Sequence, residues 1–331
     1  MKKNFAIIGL GRIGKVHIQT IKNSHLAHLY CVFDLDKNTS ERVANDYDCL
    51  CLDIDKIEEN SNIDAVIICT PTDTHVELIE RFSKTNKSIF CEKPIDLDVN
   101  RVIKCLQIVN ENNAKLMIGF NRRFDPHFSS LKSHIKNGSI GSIESLVITS
   151  RDPNPPPLDY IKKSGGIFKD MMIHDFDMAV YLTEELPSEI FSYGSVLIEK
   201  KIGKLGDFDT ASSLLVTPSG KQIIINNSRR AEYGYDQRVE VHGSKGMISA
   251  DNLRPISIEV ANNKGFHKNK LHHFFMTRYL SAYSSEINHF IDCISNDKDP
   301  LPNGQDGLNA LIIAEAAYQS SISNSNKKIE Y

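Results

Sequence analysis

Tryptophan is absent from this 331-residue chain, neither charge sign dominates, and no apolar run approaches the ~20 residues that cross a bilayer. A run such as Ala65-Val66-Ile67-Ile68-Cys69 is far too short to span one. The formal net charge of −3 leaves no electrostatic footprint for nucleic acid or for an anionic membrane surface, so neither is expected as a partner. Cysteine is scarce and odd in number: seven residues, with no Cys-x-x-Cys pair. Cys31, Cys69, Cys91, Cys105 and Cys293 fall inside predicted strands and helices, which excludes a disulfide framework and points to buried thiols in a reducing, cytoplasmic setting. Met1-Lys2-Lys3 followed by Phe5 to Leu10 has the look of a signal peptide. Gly9, Gly11, Arg12 and Lys15 interrupt it too early, and no small-residue cleavage site follows. What remains is ordinary globular composition, 40% hydrophobic and 24% charged, long enough for two domains.

The first motif is Gly9-Leu10-Gly11-Arg12-Ile13-Gly14, set between an apolar strand (residues 4–8) and a helix (residues 15–22). A second strand, residues 29–33, ends in Asp34, 20 residues beyond Gly14. Glycines there let the backbone approach a pyrophosphate, and the helix N-terminus meets its charge with free N–H groups. A carboxylate at Asp34 can accept both ribose hydroxyls of an adenosine and repels a 2′-phosphate, with Asp36 adding to the repulsion. NAD is the expected cofactor.

Alternation of strand and helix continues. Strands are predicted near residues 49–52, 64–69, 88–91 and 115–120, with helices near 40–47, 54–59, 75–83 and 97–111 between them. The pattern predicts a doubly wound parallel α/β sheet covered on both faces. Ligands bind such sheets at strand carboxyl ends, where Thr70-Pro71-Thr72, Glu92-Lys93-Pro94 and Gly119 to Arg123 all fall. After Asn121 the texture changes to a predicted α+β domain with a large, mostly antiparallel sheet. Its strands lie near 143–149, 189–197, 210–217, 222–228, 237–242 and 247–250, with closing helices at 283–295 and 304–320. The expected division is therefore a cofactor domain over residues 1–121 and a second domain over 122–331.

Between the strands of the second half stands Ser164-Gly165-Gly166-Ile167-Phe168-Lys169-Asp170-Met171-Met172-Ile173-His174-Asp175-Phe176-Asp177. It reads as a glycine turn entering one regular helix that runs to Leu182. At 100° per residue Asp170, His174 and Asp177 fall within roughly 60° on one face. A carboxylate one turn before an imidazole can fix its tautomer and raise its base strength, as proton transfer requires. Asp177 reads as a residue behind the site or a solvated one. The same three residues have a conceivable metal spacing, but no His-Glu-x-x-His motif accompanies them and no metal is expected.

Taken together these motifs resemble the glucose–fructose oxidoreductase and inositol dehydrogenase (Gfo/Idh/MocA) family along essentially the whole chain. The general marks are the Gly9 to Gly14 turn, Thr70-Pro71-Thr72-Asp73-Thr74-His75, Glu92-Lys93-Pro94, and Gly165-Gly166 leading to Asp170 and His174. Gly119 to Pro126, Ser150-Arg151-Asp152-Pro153-x-Pro155-Pro156, Tyr233 to Glu240, Arg278-Tyr279 and Ala282-Tyr283 resemble the inositol dehydrogenase branch. The resemblance implies an NAD-dependent oxidoreductase acting on a secondary hydroxyl of a cyclic polyol, foremost myo-inositol to its 2-keto product. Lys93 would stabilise the reacting oxygen, His174 would take its proton, and Asp170 would orient His174 or bind a neighbouring hydroxyl. Cofactor contacts are implied for Gly9, Gly11, Arg12, Ile13, Gly14, Asp34, Thr70, Pro71, His75, Glu92 and Lys93. Substrate contacts are implied for Lys93, Arg123, Asn154, Asp170, His174, Tyr233 and Tyr283, although the proline-rich loop alone reads Asn154 as a turn former. The family also implies a homo-dimer or homo-tetramer. The alternatives are a dehydrogenase of another polyol or sugar, such as scyllo-inositol or an aldose, and an NAD-binding regulator without turnover.

Overall fold

A computed structural model describes residues 2–331. The chain forms two compact units: residues up to Phe124 together with Ser281–Leu308, and Asp125–Leu280 together with Asn309–Tyr331. The division expected at 121/122 assigned everything after it to the second domain, whereas residues 281–308 pack with the first unit. The reason lies in the helix Leu280–Ser295, whose Ile287, Phe290 and Ile291 join Phe5, Ile7 and Phe90 in one apolar core. Spacing marks that face as buried but does not say what buries it.

In the first unit, β1 (Lys3–Ile8), β2 (Ala27–Phe33), β3 (Leu50–Cys51), β4 (Ala65–Ile68), β5 (Ser88–Cys91) and β6 (Leu116–Ile118) form a parallel sheet in the order β3-β2-β1-β4-β5-β6. Every residue of β4, β5 and β6 is buried, as expected of strands covered on both faces. The strand order reverses between β1 and β4, so the loops leaving these strands flank a switch point.

The second unit is built on β7 (Ile143–Arg151), β8 (Glu189–Ser195), β9 (Thr210–Val216), β10 (Gln222–Ser228), β11 (Asp236–Gly243) and β12 (Gly246–Ala250). A separate exposed hairpin, β13 (Glu259–Asn262) with β14 (Gly265–Lys268), and the short β15 (Lys327–Lys328) complete its strands. The large sheet runs β12-β11-β7-β10-β9-β8-β15, and every pairing is antiparallel except β7 with β10. Burial alternates along β9, β10 and β11, so one face is covered and the other is open. Pattern reading missed β13 to β15 and the short helices Leu158–Ser164, Lys200–Lys204 and Phe275–Arg278, which are too short to show a period.

The regular helix expected over residues 166–182 is interrupted. Ile167–Met172 is a π turn, and the α-helix proper is Ile173–Thr183. Single π turns inside helices gather at functional sites. Among the described residues no helix is long and apolar enough to cross a membrane.

Candidate functional site

The glycine turn after β1 has three different steric requirements. Gly9 sits at φ +93°, and a Cβ there would meet the Cys69 carbonyl carbon at 2.6 Å. At Gly14 a Cβ would lie 2.1 Å from the Gly9 carbonyl oxygen, so the helix Arg12–Asn23 rests directly on the turn. Gly11 is different: a Cβ there meets nothing within 4 Å. No side chain caps this helix and its first turn carries no acid. Arg12, Ile13 and Gly14 thus begin a helix whose first N–H groups are capped by no side chain, a fit to a pyrophosphate. Asp34, at the end of β2, is held beside the turn: its Oδ2 accepts from the Leu10 N–H at 2.8 Å and its Oδ1 from the Asp36 N–H at 3.0 Å. Each oxygen keeps acceptor capacity for a ribose hydroxyl. Asp36 caps the helix Lys37–Tyr47, accepting from the Asn38 N–H and the Thr39 hydroxyl, and the latter bond holds its carboxyl below the ordinary range.

The loops leaving β4 and β5 are tied to each other. Thr70 and Pro71 lead into a short 3-10 turn, Thr72–Thr74, and the Thr74 hydroxyl donates to Thr70 Oγ1 or the Pro71 carbonyl. His75 is buried with one ring nitrogen 2.8 Å from the Thr70 carbonyl and the other 2.8 Å from the Pro94 carbonyl. Burial holds the ring below the ordinary imidazole range against the pull of these two carbonyls. His75 therefore stands between the two loops, and as a neutral ring it donates to one of the two carbonyls. Glu92 is turned inward, its Oε1 2.7 Å from Nε2 of the fully buried His17. Gly119 makes room for it, since a Cβ there would sit 3.0 Å from Glu92 Oε2. Lys93 follows, half-buried, joined to Pro94 by a cis peptide. Tyr283 is placed in this same unit, packed edge-on against the His17 ring. Arg123 reaches Asp306 at 3.0 Å. Burial pushes the Cys69 and Cys91 thiols well up from the ordinary thiol range.

In the second unit the π turn presents Asp170, and half-buried His174 follows on the α-helix. Asp170 Oδ1 accepts from the Tyr160 hydroxyl at 2.8 Å, and its Oδ2 lies 4.0 Å from Arg229 Nη1. Arg229 is 1% exposed; its Nη2 is 3.2 Å from Asp207 Oδ2. Burial raises the Asp207 carboxyl, with the Arg229 guanidinium opposing the rise. Asp175 is fully buried and accepts from Ser150 Oγ at 2.6 Å and Asn227 Nδ2 at 2.8 Å. Asp177 is also buried, so the solvated reading of it is corrected.

Two implied substrate residues stand differently. Tyr233 donates to Asp236 Oδ2 at 2.6 Å and accepts from Arg151 Nη1 at 2.8 Å, which leaves its hydroxyl one acceptor lone pair. Asn154 is exposed on the proline-rich loop. Sequence reasoning missed Tyr160, Asp175, Asp207 and Arg229, which lie tens of residues apart and share no spacing rule. The one available signal was Asp175 standing next to His174. No three His, Cys, Asp or Glu side chains gather as metal ligands could among the described residues.

Comparisons with known proteins bear on the family and the fold. Residues 3–120 match a family model described as an oxidoreductase family with an NAD-binding Rossmann fold, and residues 132–330 match that family's C-terminal alpha/beta domain. The inositol 2-dehydrogenase of Rhizobium meliloti (strain 1021) is 54% identical over 320 residues, covering 97% of each chain. The crystal structure of a myo-inositol dehydrogenase from Corynebacterium glutamicum ATCC 13032 superposes with a TM-score of 0.96 at 37% identity, covering 100% of both chains. A scyllo-inositol dehydrogenase from Lactobacillus casei, crystallised with bound NAD(H) and scyllo-inositol, has a TM-score of 0.92 at 27% identity over 99% of both chains.

Proposed function

This chain belongs to the Gfo/Idh/MocA oxidoreductase family, with an NAD-binding Rossmann unit, and from that premise we propose that it oxidises myo-inositol at one secondary hydroxyl to the 2-keto product. The observation that carries the reading is a 54% identity to an inositol 2-dehydrogenase over nearly the whole chain, in a molecule that presents Lys93 at a strand end of the cofactor sheet, Asp170 on the π turn and His174 on the α-helix that follows it. NAD, when bound, supplies the hydride acceptor. Lys93 holds the substrate oxygen and offsets the negative charge that grows on it as its proton leaves. His174 accepts that proton. Asp170, steadied by Tyr160 and Arg229, accepts a hydrogen bond from an adjacent ring hydroxyl or from the imidazole. Alcohol and NAD+ become ketone, NADH and one proton, so no further co-reactant is required. Arg123, Asn154, Tyr233 and Tyr283 are proposed as further hydroxyl contacts.

The test is NADH formation against a panel of inositol isomers and sugars, each assayed with NAD and with NADP. Fastest turnover is expected with myo-inositol and NAD, since the Asp34 carboxylate repels a 2′-phosphate. A scyllo-inositol or aldose optimum would move the reading to that substrate. Tight NAD binding with no turnover on any member would make the chain a regulator.

We further infer a homo-dimer or homo-tetramer, on the strength of the open face of the second sheet. Phe191, Leu214 and Ile224 are register partners across β8, β9 and β10, and each is about 40% exposed, forming an apolar row. Sedimentation should give a multiple of 37.3 kDa, and Leu214→Lys should lower it. A monomer at micromolar concentration would refute this. Seven free thiols support a cytoplasmic location.

A further inference from the structure

The π turn that carries Asp170 is held at its entrance by one buried carboxylate, and the α-helix that follows it is held in its first turn by another; both lie outside the implied catalytic set. At its entrance Asp207 Oδ1 accepts from the Ile167 N–H at 2.8 Å, and it closes over Gly166, where a Cβ would fall 2.5 Å from the same oxygen. The other Asp207 oxygen engages Arg229, the guanidinium that also faces Asp170. One residue past His174, Asp175 accepts from Ser150 and Asn227. Those two are register partners on β7 and β10, so the sheet itself holds the donors in place.

We propose that Asp207 and Asp175 are positioning residues that hold Ile167–Met172 in the π form and so set the bearing of Asp170 relative to His174. The physical argument is one of helical phase. A π turn closes i→i+5 rather than i→i+4, so relaxation to α geometry would rotate Asp170 about the axis relative to everything that follows. Fixing the first N–H of the turn and the first turn of the α-helix removes that freedom. Asp175 lies beside His174 in sequence, so anchoring it to the sheet also fixes the backbone from which the imidazole projects. The catalytic consequence rests on the dehydrogenase reading given above.

An exchange of partners separates positioning from simple stability. Asp175→Asn alone places two amides together, and Asn227→Asp alone places two carboxylates together. The double exchange restores one carboxylate facing one amide with the polarity reversed. The site can accept that reversal, because Asn227 Oδ1 and both amide atoms of Gln237, which lies opposite Ser150 on β11, are buried with no partner among the described residues. Each single variant is expected to lower kcat by about 10- to 100-fold with NAD affinity unchanged, and the double exchange to recover most of it. Amide exchange of residues 167–172 in the protein without substrate should quicken in the singles and slow again in the double. Asp207→Asn should quicken the same amides. If Asp175→Asn fails to fold, Ser150→Ala removes one donor at small cost in volume and should show the same, weaker pattern. A folded single variant with wild-type kcat and wild-type amide exchange, or a double exchange no better than its worse parent, overturns the proposal. Should the wild type oxidise no polyol, the dehydrogenase reading fails while the amide rates still decide the clamp.

Discussion

Replacing Lys93 by methionine should lower kcat for polyol oxidation by about 10³-fold while leaving NAD affinity intact, because under the proposed mechanism it deletes the cation that meets a developing alkoxide. Methionine keeps the length and apolar stem of the side chain, so the change isolates the charge. Beside Lys93, Glu92 is held by His17 and seated over Gly119, and His75 lies between the Pro94 and Thr70 carbonyls. Fluorescence titration with NADH and steady-state kinetics on the same sample check both halves. Retention of wild-type kcat would remove Lys93 from the chemistry. Equal loss of NAD affinity and turnover would make it a cofactor contact alone.

The second large effect concerns the glycine turn, where two glycines three residues apart should behave in opposite ways. Gly14→Ala forces a Cβ to 2.1 Å from a backbone oxygen of Gly9, with no flexible side chain to yield. The helix Arg12–Asn23 must lift from β1, at a cost of about 3 kcal/mol or more. Thermal unfolding should fall by about 6–12 °C, and NAD binding should go with it as the helix N-terminus moves. At Gly11 the same methyl meets no protein atom, so Gly11→Ala should unfold at the wild-type temperature. It should still bind NAD weakly, since the methyl occupies space a pyrophosphate needs. Calorimetry with and without NAD tells the two apart. A wild-type melting temperature for Gly14→Ala, or wild-type NAD affinity for Gly11→Ala, would contradict the steric account.

Much of the cofactor half was legible because its rules are local. A strand, a glycine turn and a helix follow one another within twenty residues, and Asp34 ends the next strand, so chain distance and spatial distance nearly coincide. The structure then adds what proximity alone decides: Asp34 bonded to the Leu10 N–H, and Asp36 engaged as a helix cap. The helix bearing Asp170 and His174 was legible as a helix, but its π turn was not. That geometry depends on Asp207 and on Ser150 and Asn227, which approach it from three other segments.

By itself, then, the order of residues determined the parallel α/β sheet and its cofactor turn, the mostly antiparallel sheet of the second half, and the family. Those features follow from periodicity and from residue type, which act over a few positions. Tertiary structure alone decided that residues 281–308 join the first unit, that Tyr283 packs on His17, and that Asp170 is flanked by Tyr160 and a buried Arg229. The physical reason is that burying an apolar face or a charge demands a partner, and the demand is written locally while the partner is supplied from elsewhere in the chain.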